Sequence, residues 1–374
     1  MILFARELPQ VFGERMSLVD IAAPIAAAGR RCAFAVSDIA AAEYAAAATL
    51  LQAPVWPDNP APPSGSSYGA LLASLGWADP DRVKAMVSAW DTFLRLLQPS
   101  SLVVEHSPAL FLALATGTIP VVALGTPYTL PPPGQGFARS GTSGERTERL
   151  LLATNALREA RGLPPFRSMS ELFPPRRIVV GLPDLDPHRA ARTEPLAAPP
   201  GGFPEAADPP AEKRPLVWFD APPKNLPALA QELATADFQA DIYVAGGPDH
   251  IAEFLRLRGH RVHRTPPDLR TLLPQVSHVV GHAGTLLASM ALAAGRPQLM
   301  MPRSVEQRIN AAHIARLRVG IALDSMSDPA AWRSALLAFL ADPDLPDQAL
   351  DRAGRMRAAS APDAAELAAV AVNG

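Results

Sequence analysis

Acidic, histidine and glycine residues collect at two places where an apolar, strand-like run ends. Glu105 and His106 follow the run 102–104, and the turn 281–284, with the sequence Gly-His-Ala-Gly, closes the run 276–281. An imidazole titrates near neutral pH, so His106 could exchange protons at the first place. A glycine turn that opens a helix presents free backbone N–H groups and the positive helix end to an anion. The sequence therefore predicts proton transfer at the first place and phosphate binding at the second.

The stretch 273–323 has the pattern of alternating strands and helices. Its predicted elements are, in order, a strand at 276–281, a helix at 283–294, a strand at 298–301 and a helix at 306–317. The first strand is short and β-branched, as buried parallel strands are. Gly295 and Pro297 end the first helix, because glycine and then proline commonly follow a helix C-terminus. This order puts the glycine turn at a helix N-terminus.

The beginning of the chain has the same alternation. The predicted elements are a strand at 1–5, a loop at 6–15, a helix at 17–28, a strand at 31–36 and an alanine-rich helix at 40–51. Such an order starts a doubly wound parallel sheet. Functional side chains in such sheets lie at the carboxyl ends of the strands, which is where Glu105 and His106 stand.

Composition and length limit the class of protein. The chain has 374 residues, enough for two domains, and the stretch 195–215 is rich in proline, glycine and charge, which marks a boundary. A net charge of −2 does not indicate a nucleic-acid surface, and the single Cys32 excludes an internal disulfide and a cysteine-rich metal site. The chain opens on a strand-like run without a basic leader and has no run of 18 apolar residues. We therefore expect a cytoplasmic protein.

The glycine turn and the helix that follows it resemble a known family. His282, Ala283 and Gly284, with Gly295 thirteen positions after His282, resemble the donor-binding region of the family-1, UDP-glycosyltransferase-like enzymes of the GT-B fold. The resemblance implies that this turn, with Thr285, lies under the donor diphosphate. It departs from the family pattern at 286–287, where two leucines stand in place of Gly-Thr or Gly-Ser.

Four further donor-binding residues are expected from the same resemblance. Glu306 and Gln307 match the acidic-Gln pair that binds the sugar hydroxyls in the family. Asp220 and Ala221 end the first predicted strand after the boundary, so we expect them near the phosphates or the transferred sugar. The co-substrate is then a nucleoside diphosphate sugar, a UDP- or dTDP-sugar, with no other cofactor and no metal. Asp184 and Asp186 form an Asp-x-Asp, but it lies in a proline-bounded loop, and we assign no metal to it.

The first half of the chain matches the family less closely. Gly13 and Gly29 have the family's spacing, and the family's catalytic histidine would follow Gly13, where this chain has Glu14. A free glutamate has a pKa of about 4.3 and is a weak base unless burial raises its pKa. Glu14 is therefore a retuned base, a ligand-binding residue or a surface residue at a helix start. Glu105 matches the family's acid, and His106 is either the base, with Glu14 or Glu105 as its partner, or a packed or helix-capping histidine.

The stretch 125–146 is rich in glycine, proline, serine and threonine. Long ordered loops are uncommon unless they are functional or mobile, so we interpret it as a lid over the acceptor, with a helix beginning at 148. Tyr128 and Phe137 would be its apolar contacts.

The resemblance implies a GT-B fold, with two Rossmann-like domains facing across a cleft and a C-terminal helix that crosses back to the N-terminal domain. The expected parts are an acceptor-binding domain at 1–195, a linker at 196–214, a donor-binding domain at 215–350 and the returning helix at 351–374. It also implies a metal-independent, inverting transfer of a sugar to a hydroxyl of a small or lipid-like acceptor. We expect a monomer or homodimer and leave peripheral membrane contact open. Two alternatives are a catalytically silent homologue that binds a ligand or a partner, and a sugar-nucleotide epimerase.

Overall fold

A computed structural model describes residues 1–9, 16–41, 44, 47–56, 67–114, 117, 119–137, 141–210, 212–323, 329–356 and 361–373. The chain divides into two compact units, Met1–Gly202 with Ala361–Gly374, and Phe203–Ser360. The division falls inside the predicted linker. Glu14 lies outside the described residues.

Unit 1 is built on a seven-stranded parallel sheet. Its strands are β1 (Ile2–Arg6), β2 (Cys32–Val36), β3 (Leu50–Gln52), β4 (Ser101–Glu105), β5 (Val121–Gly125), β6 (Arg177–Val180) and β7 (Leu196–Ala197), in the spatial order β3-β2-β1-β4-β5-β6-β7. Residues of β1 and β4 are buried throughout, as the central strands of a parallel sheet should be. All carboxyl ends of such a sheet lie along one edge.

The helices of unit 1 follow its strands. They are α1 (Leu18–Ala27), α2 (Tyr68–Ser74), α3 (Pro80–Leu97), α4 (Pro108–Ala113) and α5 (Gly141–Ala160). Ser17 begins α1 by accepting a hydrogen bond from the Asp20 N–H, and Asp79 begins α3 in the same way. These are the side chains preferred at a helix N-cap.

Unit 2 contains a six-stranded parallel sheet. Its strands are β8 (Leu216–Phe219), β9 (Asp241–Val244), β10 (Arg261–His263), β11 (Val279–Gly281), β12 (Gln298–Met300) and β13 (Gly320–Ala322), in the order β10-β9-β8-β11-β12-β13. Its helices are α6 (Leu226–Ala234), α7 (Asp249–Leu257), α8 (Leu269–Leu272), α9 (Thr285–Ala293), α10 (Val305–Arg316), α11 (Pro329–Ala341) and α12 (Asp344–Met356).

The last helix, α13 (Ala364–Asn373), belongs to unit 1. Its alanines Ala364, Ala365 and Ala368 lie in the same apolar core as α1 and β6. The backbone of Ala198 bonds to Pro362 and Ala364, which ties the segment before α13 to the strand edge at β7. The returning helix therefore starts later than the expected 351, since α12 is part of unit 2.

The following three predicted element boundaries are among those that differ from the structure. Residues 50–52 form the edge strand β3 beside β2 rather than the end of an alanine-rich helix. The predicted linker contains β7, which pairs with β6. The helix α5 begins at Gly141, inside the predicted lid, and packs against α2 and α3. In each case pairing or packing in the folded unit outweighs local propensity, which is a weak determinant.

Within the described residues, no helix combines the length and the apolar character needed to span a membrane.

Candidate functional site

The glycine turn of unit 2 connects β11 directly to α9. Gly281 ends the strand against the backbone of Trp218, where an added Cβ would lie 2.8 Å from the carbonyl oxygen, so only glycine fits. Ala283 has φ +60°, and Gly284 is the N-cap of α9 and supplies no capping side chain. Gly284 therefore offers no side-chain acceptor to the first N–H groups of α9, as an anion site at a helix N-terminus requires.

A polar residue of α10 holds this turn in place. The Asn310 side-chain amide donates to the Ala283 carbonyl at 3.0 Å and to the Thr285 hydroxyl at 2.9 Å. The Thr285 hydroxyl in turn donates to the Glu306 carboxylate at 2.8 Å. All of these side chains are buried. The turn is fixed by a short hydrogen-bonded chain before any ligand binds.

His282 lies buried inside the turn, with its ring centroid 4.9 Å from that of Phe219. Its Nε2 has no hydrogen-bond partner among the described residues. Burial, followed by the charge of Arg303, lowers the pKa of His282 to about 4. The imidazole is therefore neutral at pH 7 and can hydrogen-bond a ligand without adding a charge.

The two leucines that depart from the family pattern face the interior of unit 2. Leu287 is buried in an apolar cluster with Leu216 and Val279, and Leu286 packs against the same cluster. Their side chains contribute to the core, and their backbone N–H groups remain part of the first turn of α9.

The predicted sugar contacts have structural partners in the protein. Glu306 is buried and accepts the Thr285 hydroxyl. The Gln307 side-chain oxygen accepts the N–H groups of Arg303 and Ser304 and forms the capping box of α10. Both residues lie in the same helix as Asn310, which holds the turn. Their contact with a sugar stays a prediction.

Asp220 directly follows β8 and is half-buried, as is Ala221. The Trp218 indole donates to the Asp220 carboxylate at 2.8 Å. β8 pairs with β11, so Asp220 and His282 stand at the carboxyl ends of neighbouring strands.

In unit 1, Glu105 is part of a buried ion pair. Its Oε2 accepts from Arg6 Nε at 2.5 Å, and its Oε1 accepts the Met16 N–H at 2.8 Å. Arg6 also donates to the Tyr44 hydroxyl at 2.9 Å and to the Met16 carbonyl. Together the two charged side chains hold both backbone polar groups of Met16, just before α1. The structure therefore gives Glu105 an ion-pair partner other than His106.

His106 is buried in a left-handed backbone conformation, with φ +45°. Burial, followed by the charge of Arg6, lowers the pKa of His106 to about 3. Its Nε2 has no hydrogen-bond partner among the described residues, and its ring centroid lies 6.1 Å from that of Tyr68. A neutral imidazole of this kind accepts a hydrogen bond but is a weak base.

The two predicted acceptor residues meet at one aromatic side chain of α2. The Tyr68 ring lies 6.4 Å from the Tyr128 ring and 6.1 Å from the Phe137 ring, and Phe173 packs on it at 5.2 Å. The Tyr68 hydroxyl is buried and has no hydrogen-bond partner within the described part of the chain. The structure thus adds Tyr68 and Phe173 to the predicted pair, next to His106.

Comparison with solved structures identifies the fold. The spinosyn rhamnosyltransferase SpnG, complexed with spinosyn aglycone, aligns with a TM-score of 0.65 at 17% identity, over 98% of this chain and 98% of its own. The glycosyltransferase SsfS6 of Streptomyces sp. SF2575, complexed with thymidine diphosphate, aligns with a TM-score of 0.67 at 18% identity, over 100% and 99%. The chain has the GT-B fold. The predicted fold class, a GT-B protein with two Rossmann-like α/β domains, is confirmed.

A curated relative adds a shorter match in sequence. The elloramycin glycosyltransferase ElmGT of Streptomyces olivaceus is 34% identical over 128 residues, which is 34% of this chain and 32% of that protein. The chain therefore spans about a third of the length of the relative it matches. No protein-family model matches the chain.

One buried carboxylate of this GT-B protein was missed in the sequence. Glu7 follows β1, and its carboxylate accepts the Trp56 indole at 2.6 Å, the Trp90 indole at 2.8 Å and the N–H groups of Ala109 and Leu110. Burial raises the pKa of Glu7 to about 7, although all four hydrogen bonds act in the opposite direction. Its position at the carboxyl end of a central strand was the available signal.

The Asp-x-Asp of the GT-B chain is bound internally. Asp186 pairs with Arg192 at 2.5 Å, and Asp184 pairs with Arg189 at 3.3 Å. Among the residues that the structure describes, no group of three or more metal-ligating side chains comes together.

Proposed function

We propose that this protein is a metal-independent, inverting glycosyltransferase that moves a sugar from a dTDP-sugar to a hydroxyl of a small, apolar acceptor. The observation that carries the proposal is the turn at 282–285, where a neutral, buried histidine and the open N-terminus of α9 stand at the carboxyl end of a central strand. Unit 2 binds the donor and unit 1 binds the acceptor.

The turn suits the diphosphate of a sugar nucleotide. Diphosphate oxygens accept hydrogen bonds from the first N–H groups of α9 and from the unpaired Nε2 of His282, and the helix dipole favours their charge. These contacts also stabilise the nucleoside diphosphate as it leaves, because negative charge grows on its terminal oxygen during transfer. The thymidine diphosphate in the SsfS6 and SpnG complexes supports dTDP as the nucleotide.

The acceptor class follows from the aromatic group in unit 1. Tyr68, Tyr128, Phe137 and Phe173 offer ring faces and edges to an apolar molecule, and the Tyr68 hydroxyl and His106 Nε2 offer two hydrogen-bonding atoms. We infer that this group borders the acceptor, because small-molecule sites combine apolar walls with a few polar atoms. The spinosyn aglycone bound to SpnG is such a molecule.

The reaction is a single displacement. The acceptor oxygen forms a bond to the anomeric carbon while the bond from that carbon to the diphosphate oxygen breaks, and the configuration inverts. The acceptor proton goes to a base on the protein. Glu14 and His106 are the candidates, with Glu105 and Arg6 holding Met16, close to Glu14 in the chain.

Calorimetric titration with thymidine diphosphate, UDP and GDP tests the donor half of this proposal. We expect thymidine diphosphate to bind, and His282→Ala to weaken its binding about tenfold, the loss of one hydrogen bond to a charged group. Mass spectrometry with dTDP-rhamnose or dTDP-glucose and polyphenolic acceptors tests transfer. No binding of any nucleotide would overturn the proposal.

A specific observation also favours a second candidate, a silent homologue that binds the nucleotide sugar without transferring it. Glu105 is engaged by Arg6, and the pKa of His106 is lowered to about 3, so neither is a strong base at neutral pH. Tight binding of thymidine diphosphate, with neither transfer nor hydrolysis of a dTDP-sugar, would favour this candidate over the enzyme.

A further inference from the structure

Unit 1 contains a cavity at the sheet edge opposite Glu105 and His106. Ser101 at the start of β4, Val121 at the start of β5 and Arg176 just before β6 line it, and its volume is about 640 Å³. These are amino ends of strands, whereas His106 and Tyr128 follow the carboxyl ends of β4 and β5. A volume of this size lies within the range of small-molecule sites, roughly 300–1,000 Å³.

Apolar side chains form about half of the wall. The side chains that form them include Phe111, Leu114, Phe166, Phe173, Pro174 and Val372. Val372 and Ala371 come from α13, so the C-terminal helix closes one side of the cavity. Such walls fit an organic molecule better than a small inorganic ion.

One arginine in the wall is fixed and lacks part of its hydrogen bonding. Arg158 is 5% exposed, its Nε donates to the Pro164 carbonyl at 2.8 Å, and its guanidinium carbon lies 3.7 Å from the centre of the Phe166 ring. Its Nη1 has no acceptor among the described residues and is closed off from bulk water. A buried cationic donor without an acceptor is costly, and the missing acceptor calls for an explanation.

The surrounding charged residues do not supply the hydrogen-bond acceptor that Arg158 Nη1 lacks among the described residues. Burial lowers the pKa of Arg158, although the charge of Glu171 opposes that shift. The Glu171 carboxylate already accepts the N–H groups of Arg167 and Ser168. Arg30 and Arg176 also line the cavity, so arginine outnumbers acidic residues in its wall. The charge of the wall therefore favours an anion.

A second buried polar atom lies in the same wall. Ser101 is 4% exposed, and its hydroxyl has no hydrogen-bond partner in the part of the chain that the structure describes. Buried hydroxyl groups in native proteins are nearly always hydrogen-bonded. The cavity thus combines apolar walls with an unsatisfied cation and an unsatisfied hydroxyl.

We propose that this cavity is a second small-molecule site, for a carboxylate with an apolar body. The carboxylate bonds to the Arg158 guanidinium, because the two planar groups match in shape and charge. The apolar part lies against Phe173 and the end of α13. Binding there holds α13 against the rest of unit 1, because Val372 contacts the ligand. The proposal does not rest on the proposed sugar transfer, although Phe173 borders this cavity and also packs on Tyr68 of the acceptor group.

The test measures binding and needs no activity. 4-Phenylbutyrate and its neutral counterpart 4-phenylbutanol are titrated calorimetrically into the full chain. We expect one 4-phenylbutyrate per chain, with 4-phenylbutanol binding at least tenfold more weakly. Arg158→Met should weaken the carboxylate at least tenfold and abolish the preference for it, whereas Arg95→Met, an exposed arginine of α3, should change neither.

A second variant leaves Arg158 in place. Val372→Trp fills the cavity from α13 and should also remove binding of 4-phenylbutyrate, while thymidine diphosphate affinity stays unchanged. Failure of the wild-type chain to bind 4-phenylbutyrate at millimolar concentration would overturn the proposal. Equal affinity in wild type and a folded Arg158→Met would overturn it as well.

Discussion

The carboxyl ends of the two sheets differ in electrical character. At the end of β11, the turn of unit 2 is held directly by the uncharged Asn310 amide, its histidine is uncharged, and the buried Glu306 carboxylate reaches it only through the Thr285 hydroxyl. At the ends of β1 and β4, unit 1 buries the adjacent residues Arg6 and Glu7 beside Glu105, which is bonded to Arg6 across the sheet. The first arrangement leaves N–H groups available for an anion. The second uses its charges to bind backbone and indole groups of the protein itself. The charged side chains of unit 1 therefore fix the positions of neighbouring segments.

The largest effect we expect comes from breaking the charged end. Arg6→Met leaves the Glu105 carboxylate buried without its cation, and should lower the free energy of unfolding by about 3–5 kcal/mol. The double variant Arg6→Met/Glu105→Leu removes both charges and should recover much of that loss. Denaturant unfolding followed by circular dichroism measures both. If the single variant is as stable as wild type, the ion pair does not hold unit 1 as described.

The next largest effect is a pH dependence of stability that comes from Glu7 in unit 1. The pKa of Glu7 is raised from 4.5 to about 7, so the folded chain holds this proton more tightly than the unfolded chain. That contribution is fully present below pH 4.5 and is lost as pH rises through about 7. The free energy of unfolding should therefore fall by about 3 kcal/mol relative to Glu7→Gln between pH 4.5 and about 8. Parallel pH curves for wild type and Glu7→Gln would contradict this.

A smaller effect tests the neutral end. Asn310→Ala removes both hydrogen bonds to the turn and should cost about 2 kcal/mol of stability in unit 2. It should also weaken thymidine diphosphate several-fold, because the turn is then no longer fixed before binding. Calorimetry on the folded variant measures this change. Unchanged nucleotide affinity would show that Asn310 supports the fold without shaping a binding turn.

The smallest effects concern the neighbouring residues Glu306 and Gln307 of α10. Gln307→Ala removes half of a capping box and should cost about 1 kcal/mol, with little change in thymidine diphosphate affinity. Glu306→Ala should weaken a dTDP-sugar more than thymidine diphosphate alone. Titration of both ligands into both variants compares them. Equal losses for the two ligands in Glu306→Ala would count against a sugar contact.

The donor end was easier to predict from sequence than the acceptor end, for a physical reason. The turn at 281–284 and its helix are set by contiguous residues, since glycines, apolar runs and a helix stop lie within one short segment. Asn310 comes from the following helix, and its contact with Ala283 depends on how α10 packs, which no local pattern records.

The acceptor end depends on contacts between distant residues. Glu7 meets the start of α4 because β1 and β4 are neighbours in the sheet, and Trp56, after β3, and Trp90, in α3, reach it from other parts of the chain. Tyr68 likewise reaches Tyr128 and Phe137 through the packing of α2. The spacing of these residues along the chain carries little information about such meetings. The fold class, by contrast, follows from alternation of elements and was predictable.

The most direct test of the central claim is a crystal structure with thymidine diphosphate bound. We predict diphosphate oxygens about 3 Å from the first N–H groups of α9 and from His282 Nε2, with Asn310 still bonded to Ala283. A nucleotide bound elsewhere, with the turn at 281–284 empty, would contradict the account.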